Sequence, residues 1–234
     1  MTEQQKSIAI VTGGSGYLGS AIVANLTRRG WRVVTLSRTA IPGSIVCDIT
    51  DPRAVHAAID TIIKTEKGTL RACIHAAAAP LERKEIMSIS FKSFATTVDT
   101  TLTGAFLFAT EAVPHMVPGS VFIGITTQAI EPNVSYASLG AYVIAKQALR
   151  SLLRLLSIEL VPKHIRVYAV APGFLPGGLN RDMPQAVLDL LASKQDVNAS
   201  LEHAAKLIAD LCSEPEQYPG GFSIAMPSQT ATPL

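Results

Sequence analysis

Cysteine is scarce in this chain: Cys47, Cys73 and Cys212 are the three in 234 residues, far apart and odd in number. That spacing excludes a disulfide framework and a thiolate metal site, and makes a reducing, cytoplasmic setting the default. Charge is sparse too. Charged residues are 16% of the chain and the net charge is +2, with no block of one sign. Nothing here attracts nucleic acid or an anionic membrane surface. Hydrophobic residues reach 48%, yet every apolar run is broken by glycine, proline or a charge, so no membrane-spanning helix is predicted. The polar start, residues 1–6, lacks the apolar core of a signal peptide. His75, His115 and His164 lack metal-ligand spacing and read as surface or sheet-edge histidines.

What is present is a regular alternation. Short apolar runs at 7–11, 31–36, 44–47, 70–75, 120–126, 165–170 and 222–225 read as buried strands. Between them lie helical patterns at 17–29, 52–66, 93–117, 139–161 and 202–212. Asp51-Pro52 is a helix start and Gly30 a helix stop. Strands alternating with helices predict an α/β chain, a doubly wound parallel sheet with helices on both faces. No repeat or linker divides it, so residues 1–234 read as one domain. The least regular part, 174–197, carries Pro176, Gly177, Gly178 and Pro184 and is predicted to be a loop or lid.

Thr12-Gly13-Gly14-Ser15-Gly16-Tyr17-Leu18-Gly19 joins the first strand to the first helix. Gly13 permits a tight turn, Gly16 lets backbone approach a pyrophosphate, and Gly19 lets the helix pack close to the sheet. The helix start then offers free N–H groups to an anion. A glycine-rich turn without a ligand is the bland alternative. After the second strand, where a carboxylate would accept from the ribose hydroxyl of NAD, stand Ser37 and Arg38. They suit a 2′-phosphate and favour NADP(H) over NAD(H), unless Arg38 is simply a solvated loop residue. Asp48, after the third strand, either accepts from an adenine amino group or caps a local turn.

Tyr142-Val143-Ile144-Ala145-Lys146 places a phenol and an ammonium on one helix face, one turn apart. A nearby ammonium favours the phenolate, and a tyrosine so tuned can move a proton near neutral pH.

Together, the loop at 12–19, Asp48, Tyr142-x-x-x-Lys146 and Ala171-Pro172-Gly173 resemble the short-chain dehydrogenase/reductase family over nearly the whole chain. The resemblance implies a Rossmann-like sheet of about seven strands. It implies a nicotinamide cofactor held by Gly13, Ser15, Gly16, Tyr17, Leu18 and Gly19, by Ser37 and Arg38, and by Asp48 and Ile49. Ala76 and Ala77 would line it through their backbone, Pro172 and Gly173 would shape the loop beside it, and Tyr142 and Lys146 would also touch it. Tyr142 would exchange a proton with a carbonyl or alcohol oxygen, while Lys146 would lower its pKa.

Three departures stand out. The glycine spacing Thr-Gly-x-x-Gly-x-x-Gly is commoner in the larger branch of the family. The serine usual after the fifth strand is replaced by Thr127, with Thr126 second and Ser135 and Ser138 ranked lower. The asparagine usual in the preceding helix is replaced by Thr101, which has either a helix-interior or a functional role. The implied function is an NADP(H)-dependent oxidoreductase acting on a small carbonyl or alcohol, with Tyr142, Lys146, Thr127 and Thr101 at its site. The alternative is a catalytically silent NADP(H)-binding sensor or assembly protein. A homodimer or homotetramer through helices 93–117 and 139–161 is implied, with Gly104, Ala105, Ala145 and Ala148 permitting close packing.

Overall fold

The computed structural model describes residues 6–131, 138–193, 200–218, 220–226 and 231–234. The apolar runs form strands β1 (Ser7–Thr12), β2 (Arg32–Ser37), β3 (Ser44–Val46), β4 (Thr69–His75), β5 (Val121–Ile125), β6 (Arg166–Ala171) and β7 (Phe222–Ala225), followed by β8 (Ala231–Pro233). Their order in the sheet is β3-β2-β1-β4-β5-β6-β7-β8. All neighbouring pairs are parallel except β7 with β8. The sheet therefore has eight strands rather than about seven. The added edge strand is three residues long and includes Pro233, and it has no apolar alternation to announce it.

Alternate strand residues feed two cores, as a sheet covered on both faces requires. Ile8 and Ile10 point into one cluster, Ala9 and Val11 into the other. The first cluster is closed by α2 (Pro52–Thr65), α4 (Gly104–Ala112) and α5 (Gly140–Glu159). The second is closed by α1 (Tyr17–Arg28) and α7 (Leu201–Ser213). The caps are those the residues suggest. Asp51 accepts from the Arg53 N–H at 2.9 Å at the start of α2. Gly30 takes a φ of +83° just past α1.

The single helix expected over 93–117 is divided. It begins earlier, as α3 (Phe91–Val98), widens into a π-turn over Asp99–Thr103, resumes as α4 and ends in a 3₁₀ turn over Val113–His115. In the wide turn the Gly104 N–H reaches back five residues to the Asp99 carbonyl. Three β-branched threonines at 100, 101 and 103 crowd this stretch. Gly104 packs on Ile49, where a Cβ would stand 2.9 Å from the Ile49 Cγ2. The segment 174–197 is also more regular than its composition suggests, because α6 (Gln185–Ser193) forms after Pro184. Proline and glycine punctuate the stretch before the helix, not the helix itself.

One contact sets the position of α5. A Cβ at Gly124 in β5 would lie 2.5 Å from the Leu153 Cδ1, so the Leu153 side chain packs on the bare backbone of this strand. A second close approach fixes the glycine loop. A Cβ at Gly19 would lie 2.1 Å from the Gly13 carbonyl oxygen, so the start of α1 packs on the loop's own backbone, not on the sheet as the spacing suggested. Gly19→Ala should therefore cost roughly 1–3 kcal/mol through overpacking and lower the melting temperature by about 3–10 °C. An unchanged melting temperature in a calorimetric scan would show that the loop and helix do not meet this closely.

Candidate active site

β1 lies between β2 and β4, so the chain turns to opposite sides at the carboxyl ends of β1 and β4, the crevice where such sheets bind ligands. The glycine loop lines one side of it. Gly13 has a φ of +69°, and a Cβ there would meet Ala77 backbone at 2.7 Å. Its N–H donates to the Leu36 carbonyl at 3.0 Å, and the Gly16 N–H donates to the Gly13 carbonyl at 2.9 Å. Gly16 is the N-cap of α1 and offers no side-chain cap to the first turn. Ser15, Gly16 and Tyr17 are exposed, whereas Leu18 is half-buried and Gly19 buried. This cradle, with its bare helix start and room only for hydrogen at three glycines, fits a dinucleotide pyrophosphate.

The Ser15 and Ser37 hydroxyls stand 2.9 Å apart, joining the loop to the end of β2. Arg38 is exposed beside them. Asp48 holds a local turn: its Oδ1 accepts from the Thr50 N–H at 2.9 Å and the Thr50 hydroxyl at 2.8 Å. Those bonds, more than the neighbouring Arg38, hold its carboxyl below the usual range. The Ile49 side chain is buried under Gly104, which leaves only its backbone for a ligand. Ala76 is half-buried and Ala77 buried beside Gly13. Pro172 accepts from the Gln128 N–H at 3.1 Å, tying the loop after β6, with Gly173, to the segment after β5.

The other side of the crevice carries Tyr142 and Lys146, one turn apart on α5. Thr126 points away: its hydroxyl donates to the Val170 carbonyl at 3.2 Å. Thr127 is the threonine near the Tyr142 phenol, whose pKa it helps to lower, and its hydroxyl accepts from the Ala129 N–H at 3.2 Å. Of the two threonines, Thr127 is thus the one beside Tyr142. Ser138 is exposed, and Ser135 lies outside the described residues.

The ammonium is placed differently from the sequence expectation. Lys146 Nζ lies 5.8 Å from the Tyr142 ring centre and donates to the Ile125 carbonyl at 2.6 Å. Its effect on the phenol is outweighed. Burial raises the Tyr142 pKa, and the Thr127 bond opposes it only in part. Burial likewise pushes Lys146 down to about 8.

Two further features were not legible in the sequence. His75 is neither a surface residue nor a backbone liner alone; it is fully buried, with Nδ1 3.0 Å from the Thr12 hydroxyl. Thr101 is buried in the wide turn facing it. The segment expected to be a loop or lid also packs on the glycine loop. Gly177 and Gly178 lie against the Tyr17 ring and Cβ, where a Cβ on either would come within 2.6 and 2.7 Å. Arg83 donates to Asn180, whose amide donates to the Leu175 carbonyl at 2.8 Å. A tyrosine just after a phosphate loop, paired with a Gly-Gly in a distant loop, is the only sequence trace of that contact.

These features agree with the comparisons. A family model described as enoyl-(acyl carrier protein) reductase matches residues 18–226. The chain belongs to that family, one of the short-chain dehydrogenases/reductases, and is an oxidoreductase of this class. It is 25% identical over 235 residues to cis-4-hydroxycyclohexanecarboxylate dehydrogenase of Sinomonas cyclohexanicum, covering 94% of each chain. It is 31% identical over 201 residues to a peroxisomal 2,4-dienoyl-CoA reductase of Rattus norvegicus, covering 76% of this chain and 66% of that one. Among solved structures, a short-chain dehydrogenase/reductase from Serratia marcescens superposes with a TM-score of 0.84 at 22% identity, over 95% of this chain and 96% of that one. ElxO with NADP bound gives 0.84 at 20% identity, over 95% and 97%. Among the described residues no helix is long and apolar enough to cross a membrane.

The buried ammonium has a measurable consequence. Its pKa, about 8, lies below the ordinary lysine value of 10.5, so between these values the unfolded chain binds more protons and stability rises with pH. Below pH 8 the charged lysine costs about 3 kcal/mol. Lys146→Met should remove that cost, partly offset by an unpaired Ile125 carbonyl. Its stability relative to the parent should therefore fall as pH rises from 7 to 10. Denaturant melts giving a pH-independent difference would contradict a buried charged Lys146.

Proposed function

We propose that the chain is an NADP(H)-dependent reductase of a small carbonyl compound, with Tyr142 as proton donor. The observation that carries this reading is the pairing of Tyr142 and Lys146 one turn apart on α5, with Nζ 5.8 Å from the Tyr142 ring centre and Thr127 near enough to the phenol to act on its pKa. A hydroxyl pair of this kind can cradle one substrate oxygen. Burial that raises the phenol pKa keeps Tyr142 protonated near neutral pH, which favours the donating, reductive direction.

The roles follow from position. Gly13, Gly16 and Gly19 would admit the pyrophosphate, and Ser15, Ser37 and Arg38 surround the place a 2′-phosphate would take. The nicotinamide supplies the hydride. Tyr142 gives its proton to the substrate oxygen, Thr127 donates a hydrogen bond to the charge that develops there, and Lys146 holds positive charge beside both. Leu175, Leu179 and Met183, all half-buried in the lid, would present an apolar cover to the substrate. The carbonyl reductase and hydroxycyclohexanecarboxylate dehydrogenase names among the relatives are consistent with this substrate class, whereas the dienoyl-CoA reductase name denotes reduction of carbon–carbon double bonds.

The assembly surface would differ from the one the small residues suggest. Gly104, Ala105 and Ala145 are turned into the chain's own core. On α5 the outer stripe is Ile144, Ala148, Ser151, Leu155 and Ile158, at alternating spacings of four and three, and Ile144, Leu155 and Ile158 are exposed. We place the homodimer contact on this stripe. Leu155→Asp with Ile158→Asp should reduce the mass found by light scattering to that of one chain; an unaltered dimer mass would move the contact elsewhere.

Activity is tested by NADPH oxidation against a panel of ketones and aldehydes. Tyr142→Phe should lower kcat by about 10²–10⁴-fold while NADPH still binds. Thr127→Ala should lower it by about 10²-fold, and Thr127→Ser should retain it. Arg38→Gln should weaken NADPH roughly 10- to 100-fold and leave NADH unchanged. Saturable NADPH binding with no oxidation on any substrate would favour the sensor reading, and full activity in Tyr142→Phe would remove the tyrosine mechanism.

A further inference from the structure

β5, β6 and β7 are neighbours in the sheet, and one side chain crosses their carboxyl ends. Gln128, half-buried, follows Thr127 and opens the 3₁₀ turn Gln128–Ile130. Its N–H donates to the Pro172 carbonyl just past β6 at 3.1 Å. Its side-chain amide donates to the Met226 carbonyl just past β7. Adjacent strands lie about 4.8 Å apart, so the span from β5 to β7 is about two such spacings and needs a long side chain. Met226 is itself fixed, buried and with its N–H on the Ala171 carbonyl at 3.0 Å. The segments that follow three strands are therefore joined at one residue.

The side chain that stands to gain is Thr127. Its hydroxyl oxygen accepts from the Ala129 N–H at 3.2 Å, which leaves the hydroxyl proton to be donated elsewhere. The Ala129 N–H shares a peptide plane with the Gln128 carbonyl, so the orientation of Gln128 sets the direction of that bond. The turn has little support of its own. Its backbone bonds are Ile130 N–H to the Thr127 carbonyl at 3.4 Å and Glu131 N–H to the Gln128 carbonyl at 3.0 Å, and 3₁₀ geometry makes such bonds poor ones. We propose that Gln128 is a positioning residue for Thr127: clamped to Pro172 and Met226, it keeps the Ala129 N–H on the Thr127 oxygen, so that the Thr127 proton is presented to the substrate oxygen. The inference deepens the reductase reading and rests on it for the purpose of the clamp.

The clamp needs a donor at position 128. The Met226 carbonyl can only accept, so an amide N–H or a protonated carboxyl serves there and an ionised carboxylate does not. Gln128→Glu thus makes the clamp switchable by pH. Glutamate ordinarily titrates near 4.3, and both burial and a bond donated to a carbonyl favour its protonated form and raise that value. The clamp should be present at pH 5 and lost by pH 8. Glu131, in the same turn, lies 3.9 Å from Arg150 of α5. Tyr142 and Lys146 are the titratable groups in the first two turns of that helix, and the carboxyl ends of β6 and β7 carry none.

Two measurements test the proposal. The first is hydrogen exchange at the Ala129 amide in the chain alone, which does not depend on turnover. Protection should fall about tenfold in Gln128→Leu, since the bond it reports is no longer held. In Gln128→Glu, protection relative to the parent at the same pH should fall between pH 5 and 8. The second is NADPH oxidation. Gln128→Leu should lower kcat about tenfold through misplacement of Thr127, with the affinity for NADPH unchanged. Joined to Thr127→Ala, it should cause no further loss, because an absent hydroxyl cannot be misaimed. Relative to the parent, kcat of Gln128→Glu should fall over the same pH interval as the protection. Parent-like Ala129 protection in a folded Gln128→Leu, losses that multiply in the double variant, or a Gln128→Glu whose protection ignores pH each overturn the proposal. If the Leu variant proves unfolded, Gln128→Glu decides, because one protein is compared with itself at two pH values. The expected exchange pattern beside absent NADPH oxidation by the parent would count against the reductase reading alone.

Discussion

The site hangs on one close approach, that of α5 to β5 across Gly124. An ammonium is costly to bury unless it finds an acceptor. Lys146 finds one in the Ile125 carbonyl because the helix sits low enough, and it sits low because Gly124 has no side chain to hold Leu153 away. Leu149 and Leu153, fully buried below, keep the helix down. The geometry of the polar pair is thus set by apolar packing two turns away.

The same desolvation acts on both members of the pair with opposite results. It disfavours charge, so the phenol is pushed up and the ammonium down. A lysine next to a tyrosine suggests a lowered phenol, but that follows only where the cation is near enough to the oxygen to outweigh the cost of desolvating the phenolate. Here the ammonium turns to the backbone. The remaining influence on the phenol is Thr127, a neutral hydroxyl, whose pull is weaker than burial. On the reading proposed above, this keeps the donor loaded with its proton and places Lys146 close to its own midpoint, where small changes in its surroundings alter its charge most.

What was legible in the sequence was whatever depends on local pattern. The strands from β1 to β7 are apolar runs bounded by turns, and the Tyr142–Lys146 spacing is a helix property that needs no tertiary knowledge. Even the expectation that Thr126 and Thr127 face opposite ways follows from alternation once the strand is granted. What was not legible depends on the third dimension. The wide turn at Asp99–Thr103 sits inside a pattern that reads as continuous helix, because its threonines are compatible with either form. Strand β8 owes its existence to pairing with β7 rather than to its own residues. The fate of His75 was set by the parallel register, Thr12 opposite His75, which brings a hydroxyl to an imaginary surface histidine and makes it a core one.

That register also explains why the chemistry gathers where it does. Cores admit few polar side chains, so their distribution carries information. Most of the buried polar side chains of this chain lie at the carboxyl ends of strands or on the helices that face them: Thr12, Ser37, His75, Thr126, Thr127, Thr101 and Lys146. A sheet that needed only stability would carry apolar residues at these positions, as it does along the strand interiors. Each polar group here has a tie that fixes its direction, with Thr12 on His75, Ser15 on Ser37, Thr126 on the Val170 carbonyl and Lys146 on the Ile125 carbonyl. Groups tied on one side and turned toward the crevice on the other are preorganised, since their orientation is settled before any ligand arrives. Thr127, which accepts from the Ala129 N–H, fits that pattern. A β-branched hydroxyl has one restricted rotor, so it aims a hydrogen bond at lower entropic cost than a longer amide, provided its neighbours bring the partner to it.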